Sequence, residues 1–389
     1  MRKRISCISV VIAMLTVHAV AQAVKDSMLV FPLQQLHTHS SCITCLPNGD
    51  YLTVWFEGSG ERTADDVKIM GARLCKGETR WSKPFLMADT YNLPDCNPVL
   101  FLNHENKLFL VWITVLANKW EYAVLNYKTS VDYRKPGAPV WNWQGNIFLH
   151  PDSSFSQEVN NKFRQLPGNH AGWSAYAPAY DDMIKEAATD KGKTVIGWMT
   201  RICPLLAGNK RILLPLYSDG FNFSMIAISD DDGETWHNSK PIVGRGNVQP
   251  ALVVKNNGNI VAYMRDNGDA PNRVQVSESA DGGETWSAAE KIHIPNTASV
   301  MVTKLANGKW VFIGNDEADG RYRLALYQSQ DEGQTWRIMM SLENKPKGEG
   351  SFSYPSMLQG PDGLLHITYS CGLPGGKESI KYVVVDPSD

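Results

Sequence analysis

The sequence lacks several features that would define its class at once. Of its 389 residues only seven are cysteine, the formal net charge is −2, and lysine and arginine nowhere form a long run. A nucleic-acid partner is therefore not expected, because binding to phosphate backbones needs a basic surface. The cysteine density is far below that of a small domain held together by disulfides.

Long apolar runs are also missing, apart from one at the N-terminus. That segment opens with the basic letters MRKR, continues with an apolar run over 5–20, and ends in Ala-Gln-Ala at 21–23. This pattern is typical of a secretory signal peptide, so residues 1–23 are predicted to be removed. With no second apolar stretch of about 20 residues, no membrane span is expected. We predict a secreted or periplasmic protein.

The histidines and cysteines do not form a metal-binding pattern. Cys42 and Cys45 belong to the strand-like run SSCITCLPNGD, with no second cysteine pair and no histidine pair at zinc-finger spacing. His37 and His39 precede the same run, but no third ligand is evident. We therefore expect two buried strand cysteines, and neither a metal nor a cofactor.

What the sequence does contain is a repeated phrase, Ser-x-Asp-x-Gly-x-Thr-Trp. The copies SDDDGETW, SADGGETW and SQDEGQTW place their tryptophans at 236, 286 and 336, a period of fifty residues. Around the second copy, strand-length apolar runs alternate with turns to give four antiparallel strands, the size of one propeller blade. In each phrase the Asp can accept backbone N–H bonds and the Gly supplies a positive φ, which predicts a structural turn.

Counting such units predicts an all-β, six-bladed β-propeller of four-stranded antiparallel blades. The first unit covers about 40–90, the second covers 96–150, and the third to fifth carry the clear phrases. The sixth begins at Ser351 and runs out of chain one strand short. We expect residues 28–33 to supply the missing outer strand and so to close the ring.

Seven blades are the alternative, and they would need another unit within 151–201. That segment contains the helix-like letters DDMIKEAATD, so we interpret it as an insertion between blades two and three. Residues 24–389 are then a single domain. A single domain can exceed the usual limit of about 250 residues for one core in this case, because each repeat buries its own layer against its neighbours.

The three phrases resemble the Asp-box, or BNR, repeats of the sialidase (neuraminidase) superfamily, and the resemblance covers nearly all of residues 24–389. It implies that the boxes lie on one face and that loops on the opposite face surround the functional cavity. Members of that superfamily bind the carboxylate of an acidic sugar with three arginines. They use a tyrosine nucleophile, a glutamate as its base and an aspartate as acid/base. The expected partner is an acidic glycan, and the protein is expected to be a monomer.

Several residues match the site of that superfamily one by one. Arg265 in YMRDN and Arg321 in DGRYR match the second and third arginines, and Tyr354 in SFSYPS matches the nucleophile. Asp65 or Asp66, in the first long loop of blade one, matches the acid/base aspartate. The resemblance implies these residues as the core of a catalytic site.

Two positions depart from the pattern. The entry to blade one reads LHTHSS, with His37 and His39 where an arginine motif is expected, and blade four carries Gln249 where a glutamate is expected. A glutamine cannot take a proton from Tyr354. A neutral His39 suits general base work near pH 7, which favours a uronate-directed glycosidase or polysaccharide lyase as a second interpretation.

Further residues are candidates for substrate binding because they belong to loops of the predicted functional face. They are Arg62, Trp120, Arg201, Asp219 and Arg245. Three function classes stay open: an exo-acting glycosidase on sialic acid or a similar sugar, a lyase that uses His39 or Tyr354, and a non-catalytic glycan-binding propeller. We expect the glycosidase, because the acid-rich loops GERTADD and GNDEAD favour catalysis over binding alone.

Overall fold

The fold is built from short, mostly buried strands separated by tight turns. The computed structural model describes residues 23–167 and 177–388, so the predicted signal peptide lies outside the described residues except for Ala23. In the described part of the chain, 24 strands form six four-stranded antiparallel sheets. Consecutive strands pair side by side within a sheet, which is the blade topology predicted from the repeat.

The strands are numbered in chain order, and the four strands of each blade follow one another from the axis of the ring outward. Blade one consists of β2 (His37–Cys45), β3 (Tyr51–Gly58), β4 (Lys68–Leu74) and β5 (Phe85–Ala88). Blade two consists of β6 (Asp95–Leu102), β7 (Leu108–Val115), β8 (Ala123–Ser130) and β9 (Trp143–Asn146). Blade three consists of β10 (Leu205–Ala207), β11 (Arg211–Ser218), β12 (Phe223–Ser229) and β13 (His237–Asn238). Blade four consists of β14 (Asn247–Val254), β15 (Ile260–Asp266), β16 (Arg273–Ser279) and β17 (Glu290–Pro295). Blade five consists of β18 (Met301–Lys304), β19 (Trp310–Gly314), β20 (Arg323–Ser329) and β21 (Arg337–Asn344). Blade six consists of β22 (Ser351–Gln359), β23 (Leu365–Leu373), β24 (Lys377–Val385) and β1 (Val24–Leu29).

The two ends of the chain close the ring, because β1 pairs antiparallel with β24 in the sixth blade. Closure by the N-terminal strand is confirmed, but the strand covers 24–29 and not the predicted 28–33. The prediction followed the apolar residues, but Val30 and Phe31 lie beyond the strand and are buried in a core cluster of the first and last blades. The strand itself carries charged residues that face solvent, as an edge strand should.

Six blades complete the ring, so the seven-blade alternative is wrong. Between blades two and three, the described residues form three helices: α1 (Ser154–Phe163), α2 (Ala177–Ala187) and α3 (Lys191–Thr194). Helix α1 buries Phe155, Val159 and Phe163, which share one helical face. The ring of Phe155 contacts Trp198 and the aromatic side chains at the edge of blade three. No helix in the described residues has the length and hydropathy that a membrane crossing requires.

Cys42 and Cys45 both lie in β2, as predicted, although only Cys42 is fully buried and Cys45 is half-buried. The Cys42 sulfur accepts a hydrogen bond from the Leu100 amide at 3.3 Å in the neighbouring blade. All six cysteines of the described residues are free thiols. Cys42 therefore serves as a small packing residue between blades, whereas the Cys45 thiol contacts the carbonyl of the adjacent Leu46 at 3.7 Å.

Four of the innermost strands are interrupted by a β-bulge close to the axis. Each bulge holds one non-glycine residue at a positive φ, and these residues are Ser40 (62°), Asn97 (50°), Gln249 (59°) and Tyr354 (57°). A bulge bends its strand and redirects a side chain. Positive φ costs a bulky residue about 1–3 kcal/mol, and such strain concentrates at functional sites. The bulges thus mark the end of the ring where function is expected.

The repeated phrases form the same turn between the third and fourth strands of blades three to five. In the second copy, Asp281 accepts hydrogen bonds from the Thr285 amide at 3.0 Å, the Thr285 hydroxyl at 2.6 Å and the Ser279 hydroxyl at 2.8 Å. Gly283 has φ of 96° and donates its amide to Ser279. Although desolvation acts in the opposite direction, the Thr285 and Ser279 hydrogen bonds hold the pKa of Asp281 below its ordinary value.

Asp281→Ala is expected to lower the free energy of unfolding by about 1–2 kcal/mol at pH 7, because three donors lose their acceptor. The pKa of Asp281 is depressed in the folded state. Its contribution is therefore present above the unfolded-state pKa and is lost as the pH falls through the folded-state pKa. Urea unfolding gives the free energy of unfolding of both proteins, and the difference between Asp281→Ala and wild type should become smaller at acidic pH. The control is Asp89→Ala, at another exposed carboxylate; an equal loss in that variant would contradict the assigned role.

Candidate active site

A cavity of about 370 Å³ lies at the end of the ring opposite the Asp-box turns, and side chains from all six blades line it. Its walls come from the starts of the innermost strands and from loops that follow the second strands. Seven of the predicted site residues meet there: His39, Trp120, Asp219, Gln249, Arg265, Arg321 and Tyr354. The fold therefore brings together residues that lie more than 300 positions apart in sequence.

Tyr354 is the centre of this cavity. Its hydroxyl accepts a hydrogen bond from Gln249 Nε2 at 3.1 Å and one from Arg265 Nη1 at 3.2 Å. Its ring lies 4.0 Å from the His39 ring, centroid to centroid. The guanidinium of Arg321 lies 5.4 Å from the ring centroid. The tyrosine is thus surrounded by cations and neutral polar groups, and no carboxylate in the described residues hydrogen-bonds to its hydroxyl.

Arg201 occupies a different position from the one expected of a loop residue. Its side chain is 1% exposed and lies beneath the cavity, with its guanidinium 4.8 Å from the centroid of the Tyr354 ring. It donates to the carbonyls of Ser41 at 3.2 Å and Pro355 at 3.0 Å, and it forms no ion pair within the described residues. Desolvation lowers the pKa of Arg201. An arginine nevertheless stays charged in a protein, so positive potential reaches the ring from below.

Arg265 and Arg321 line the cavity itself, and neither forms an ion pair in the part of the chain that the structure describes. Arg321 Nη1 contacts the Ser353 hydroxyl at 3.4 Å, and desolvation lowers its pKa. The Arg265 Nε and the Gln249 Oε1 are both buried without a partner in the described residues. A ligand that carries an anionic acceptor and a hydroxyl donor would complete these contacts, because buried polar groups are normally paired.

The pKa values of the two histidines at the entry to blade one are shifted in opposite directions. Desolvation, reinforced by Arg321 and other nearby cations, holds the pKa of His39 well below its ordinary value. A hydrogen bond to Glu378, with Nδ1 to Oε2 at 3.1 Å, raises the pKa of His37. His39 is therefore the neutral imidazole next to Tyr354, and His37 is the titratable one at the rim.

Three carboxyl groups line the cavity, those of Asp219, Glu61 and Glu378. The Asp219 side chain is open to solvent, yet the surrounding protein raises its pKa through desolvation. Asp65 and Asp66 are exposed and do not line the cavity. Asp66 instead accepts hydrogen bonds from the Ser59 amide and hydroxyl and so holds the loop together. The same loop does deliver a carboxylate, Glu61, which precedes both candidate positions.

The other predicted arginines also lie outside the cavity wall. Arg62 stacks over Trp120, with its guanidinium 5.4 Å from the ring centroid. Arg245 forms an ion pair with Asp181 of helix α2 at 2.7 Å and donates to the Pro167 carbonyl, which ties the insertion to blade four. Arg62 therefore holds the aromatic ring of Trp120 at the cavity wall, whereas Arg245 has a structural role and attaches the insertion to blade four.

Sequence reasoning missed several cavity residues because nothing in their local pattern distinguishes them. Asn97 donates to the Tyr217 hydroxyl at 3.1 Å, and both line the cavity. Glu378 reaches it from the last strand and accepts the Thr38 amide at 2.6 Å. Glu61 had a signal, since it lies in the acid-rich loop GERTADD.

His37 and His39 offer two ring nitrogens, with ring centroids 5.7 Å apart, but His37 is already bonded to Glu378. Elsewhere in the described residues, Asp230, His237 and Glu284 have ligand atoms within 4.8 Å of one another. Arg211 donates hydrogen bonds to both of these carboxylates and offsets part of their negative charge. The cluster lies away from the cavity wall, so it takes no part in the chemistry of the cavity.

A six-bladed propeller with arginines and a tyrosine at its central cavity defines the class of sialidase-like propellers. The chain belongs to the family of the BNR repeat-like domain, whose model matches residues 49–168 and 185–367. No curated protein matches the sequence significantly.

Solved structures share the fold at low sequence identity. A Dyadobacter fermentans protein of unknown function is 15% identical, with a TM-score of 0.68 over 93% of this chain and 98% of its own. The NanB sialidase of Streptococcus pneumoniae is 12% identical, with a TM-score of 0.65 over 92% and 70%. A leech intramolecular trans-sialidase is 13% identical, with a TM-score of 0.63 over 94% and 70%.

Glu378→Gln is expected to lower the pKa of His37, because the negative charge that stabilises the protonated ring is lost while desolvation remains. The pair stabilises the fold below the unfolded-state histidine pKa, about 6.5, and that contribution is lost as the pH rises through the higher folded-state pKa. Titration of the His37 ring by NMR checks this, with the exposed Glu349→Gln as control. An unmoved His37 titration in Glu378→Gln would refute the assigned pair.

Proposed function

We propose that this protein is an exported, exo-acting glycosidase that removes an acidic sugar, sialic acid or one like it, from the end of a glycan. The observation that carries the proposal is the environment of Tyr354. Its hydroxyl faces a cavity closed from below, two arginines line that cavity beside it, and a third lies beneath its ring. The predicted signal peptide supports a site of action outside the cytoplasm.

The substrate class follows from the charge in the cavity. Arg265 and Arg321 present guanidinium donors that match a carboxylate geometrically. A carboxylate nucleophile would repel such a substrate, whereas a phenol does not, which is why tyrosine suits acidic sugars. The volume of about 370 Å³ has room for one terminal sugar rather than for the middle of a polymer.

In the proposed reaction Tyr354 Oη attacks the anomeric carbon as the glycosidic C–O bond breaks. The bonding electron pair leaves with the glycan oxygen, which takes a proton from a carboxylic acid. Asp219 suits that role, because it lines the cavity and desolvation raises its pKa, which favours the protonated form. The phenol proton cannot go to Gln249, and His39 is the neutral acceptor that contacts the ring. Water then releases the sugar by the reverse sequence.

Elimination at a uronate is the second candidate, and Gln249 in place of a carboxylate base favours it. Arginines that neutralise the uronate carboxylate make the neighbouring C–H more acidic. His39 or Tyr354 would take that proton, its C–H electron pair would form a C=C bond, and the C–O bond at the next carbon would break. The leaving oxygen would then take a proton from a second group. The two candidates share the arginines and differ in the product.

Tyr354→Phe is expected to lower kcat on a fluorogenic sialoside by about a thousandfold or more, because the attacking oxygen is removed. Tyr322→Phe, on the neighbouring loop and outside the cavity wall, is the control and should keep wild-type turnover. If the wild-type protein releases no sialic acid but forms an ultraviolet-absorbing unsaturated product from a uronate glycan, elimination replaces hydrolysis. Folded protein inert on both substrates would leave a binding propeller.

Gln249→Glu separates the two chemistries further. In the hydrolase it places a carboxylate base about 3 Å from Tyr354 Oη and is expected to raise kcat. In an elimination it sets a negative charge against the substrate carboxylate and is expected to raise KM. The measurement is a full kinetic profile on each substrate, with Gln249→Ala as the variant that removes the amide without adding charge. If kcat for hydrolysis falls equally in Gln249→Glu and Gln249→Ala, hydrolysis by the wild-type protein is not limited by the lack of a carboxylate base at this position.

A further inference from the structure

Arg201 links three blades of the ring beneath the cavity. It precedes β10 of blade three, and its guanidinium donates to the Ser41 carbonyl of blade one and to the Pro355 carbonyl of blade six. The proposed reaction uses this arginine only as a positive charge under Tyr354. The two hydrogen bonds give the side chain a second task, because they fix the backbone next to two of the proposed reacting groups.

Both acceptor carbonyls belong to β-bulges that lie close to the cavity. The register of β2 shifts across Ser40 and Ser41, and the register of β22 shifts across Tyr354 and Pro355. In each bulge the residue before the acceptor has a positive φ. A bulge takes residues out of the ladder, so their backbone groups need other partners. Arg201 supplies a partner to both bulges at once.

The same two bulges carry the rings that meet in the cavity. His39 immediately precedes the first bulge and Tyr354 lies in the second, and their ring centroids are 4.0 Å apart at an interplanar angle of 46°. Each ring is therefore attached within two residues of a carbonyl that Arg201 holds. The ring contact depends on the distance between the two bulges, and the planar guanidinium fork bridges that distance.

The buried charge of Arg201 is not what packing alone would favour. The side chain is 1% exposed, and its Nε has no hydrogen-bond partner within the described residues. No carboxylate of those residues forms an ion pair with it. A buried cation without a counterion costs stability, and an apolar side chain of similar volume is often the more stable choice. A functional reason for the arginine is therefore expected.

Arg73 shows what a purely structural arginine looks like in this chain. It is equally buried and donates to the carbonyls of Tyr133 at 2.7 Å and Gly137 at 3.2 Å, which joins blade one to blade two. Unlike Arg201, it has a counterion, because Asp50 pairs with it at 3.0 Å. Arg73 does not line the cavity, so it provides a matched control.

We propose that Arg201 is a positioning residue: its guanidinium fork fixes the bulges of blades one and six so that the His39 ring lies against the Tyr354 ring. The inference rests on the proposed function for the proton that passes between these groups, and it adds the residue that holds them together. Arg201 does not line the cavity and acts through the backbone of two strands. Lysine in its place would keep the positive charge but lose the two fixed donors of the fork.

The test compares Arg201→Lys with Arg73→Lys, which measures the general cost of losing a buried arginine fork. Mature protein is labelled with ¹³C-histidine, and His39→Gln identifies the NMR signal of the His39 ring. Tyr354→Leu shows where that signal lies without the ring current of the tyrosine. In Arg201→Lys the His39 signal is expected to move toward its position in Tyr354→Leu, whereas Arg73→Lys should leave it in place.

Turnover gives a second readout where the protein releases sialic acid. Arg201→Lys is expected to lower kcat on a fluorogenic sialoside by about tenfold to a hundredfold, because small displacements of reacting groups cost that much. KM should change by less than about twofold, because the positive charge beneath the cavity is kept. Arg73→Lys should lower the melting temperature and leave both constants of the folded protein unchanged.

The NMR readout needs no turnover, so the two proposals fail separately. A protein that cleaves no acidic glycan but shows the His39 shift in Arg201→Lys loses the proposed function and keeps Arg201 as the residue that sets the ring contact. An unmoved His39 signal in Arg201→Lys overturns the inference, and so does an equal shift in Arg73→Lys. An unchanged kcat in Arg201→Lys overturns it as well.

If Arg201→Lys does not fold, the comparison is made in a Ser40→Gly background. Glycine adopts the positive φ at the first bulge without strain, so this change offsets part of the stability that the lost fork provided. The His39 signal of Ser40→Gly alone is then the reference. A signal that does not move when Arg201→Lys is added to Ser40→Gly overturns the inference.

Discussion

The rest of the structure depends on one constraint: six innermost strands converge on a single axis. Side chains at the entry of each strand compete for the same small volume, and regular alternation cannot point all of them inward without collision. Bulges at four entries resolve this by turning one residue of each strand. Gln249 and Tyr354 meet because both are held at positive φ in this way. The strain lies at the site and the sheets around it hold it in place.

The same convergence sets the electrostatics. A buried Arg201 beneath the tyrosine and two arginines beside it give the axis a positive charge, and none of the three is paired with a carboxylate of the described residues. That field, together with burial, keeps His39 neutral, whereas Glu378 keeps its neighbour His37 charged to higher pH. The cavity therefore suits an anionic group. None of the carboxyl groups that line it, Glu61, Asp219 and Glu378, forms an ion pair with these arginines.

The helical insertion is attached to two blades of the ring. The ion pair between Arg245 and Asp181 fixes helix α2 against blade four, and the aromatic face of helix α1 fixes the segment to blade three. The two contacts hold the insertion against the sheets, and long connections between blades can be changed without disturbing the sheets themselves.

The sequence by itself determined the blade count, the Asp-box turns and the closure of the ring, since each follows from local periodicity and turn chemistry. It also indicated Tyr354, Arg265 and Arg321 through their motifs. Only the tertiary structure decided that Arg201 lies beneath the tyrosine and that Asp66 serves its own loop. It likewise decided that Glu61 and Glu378 line the cavity together with Asp219. The physical reason is that a side chain's target depends on bulges, loop paths and neighbouring blades, which are set by contacts between residues far apart in the chain.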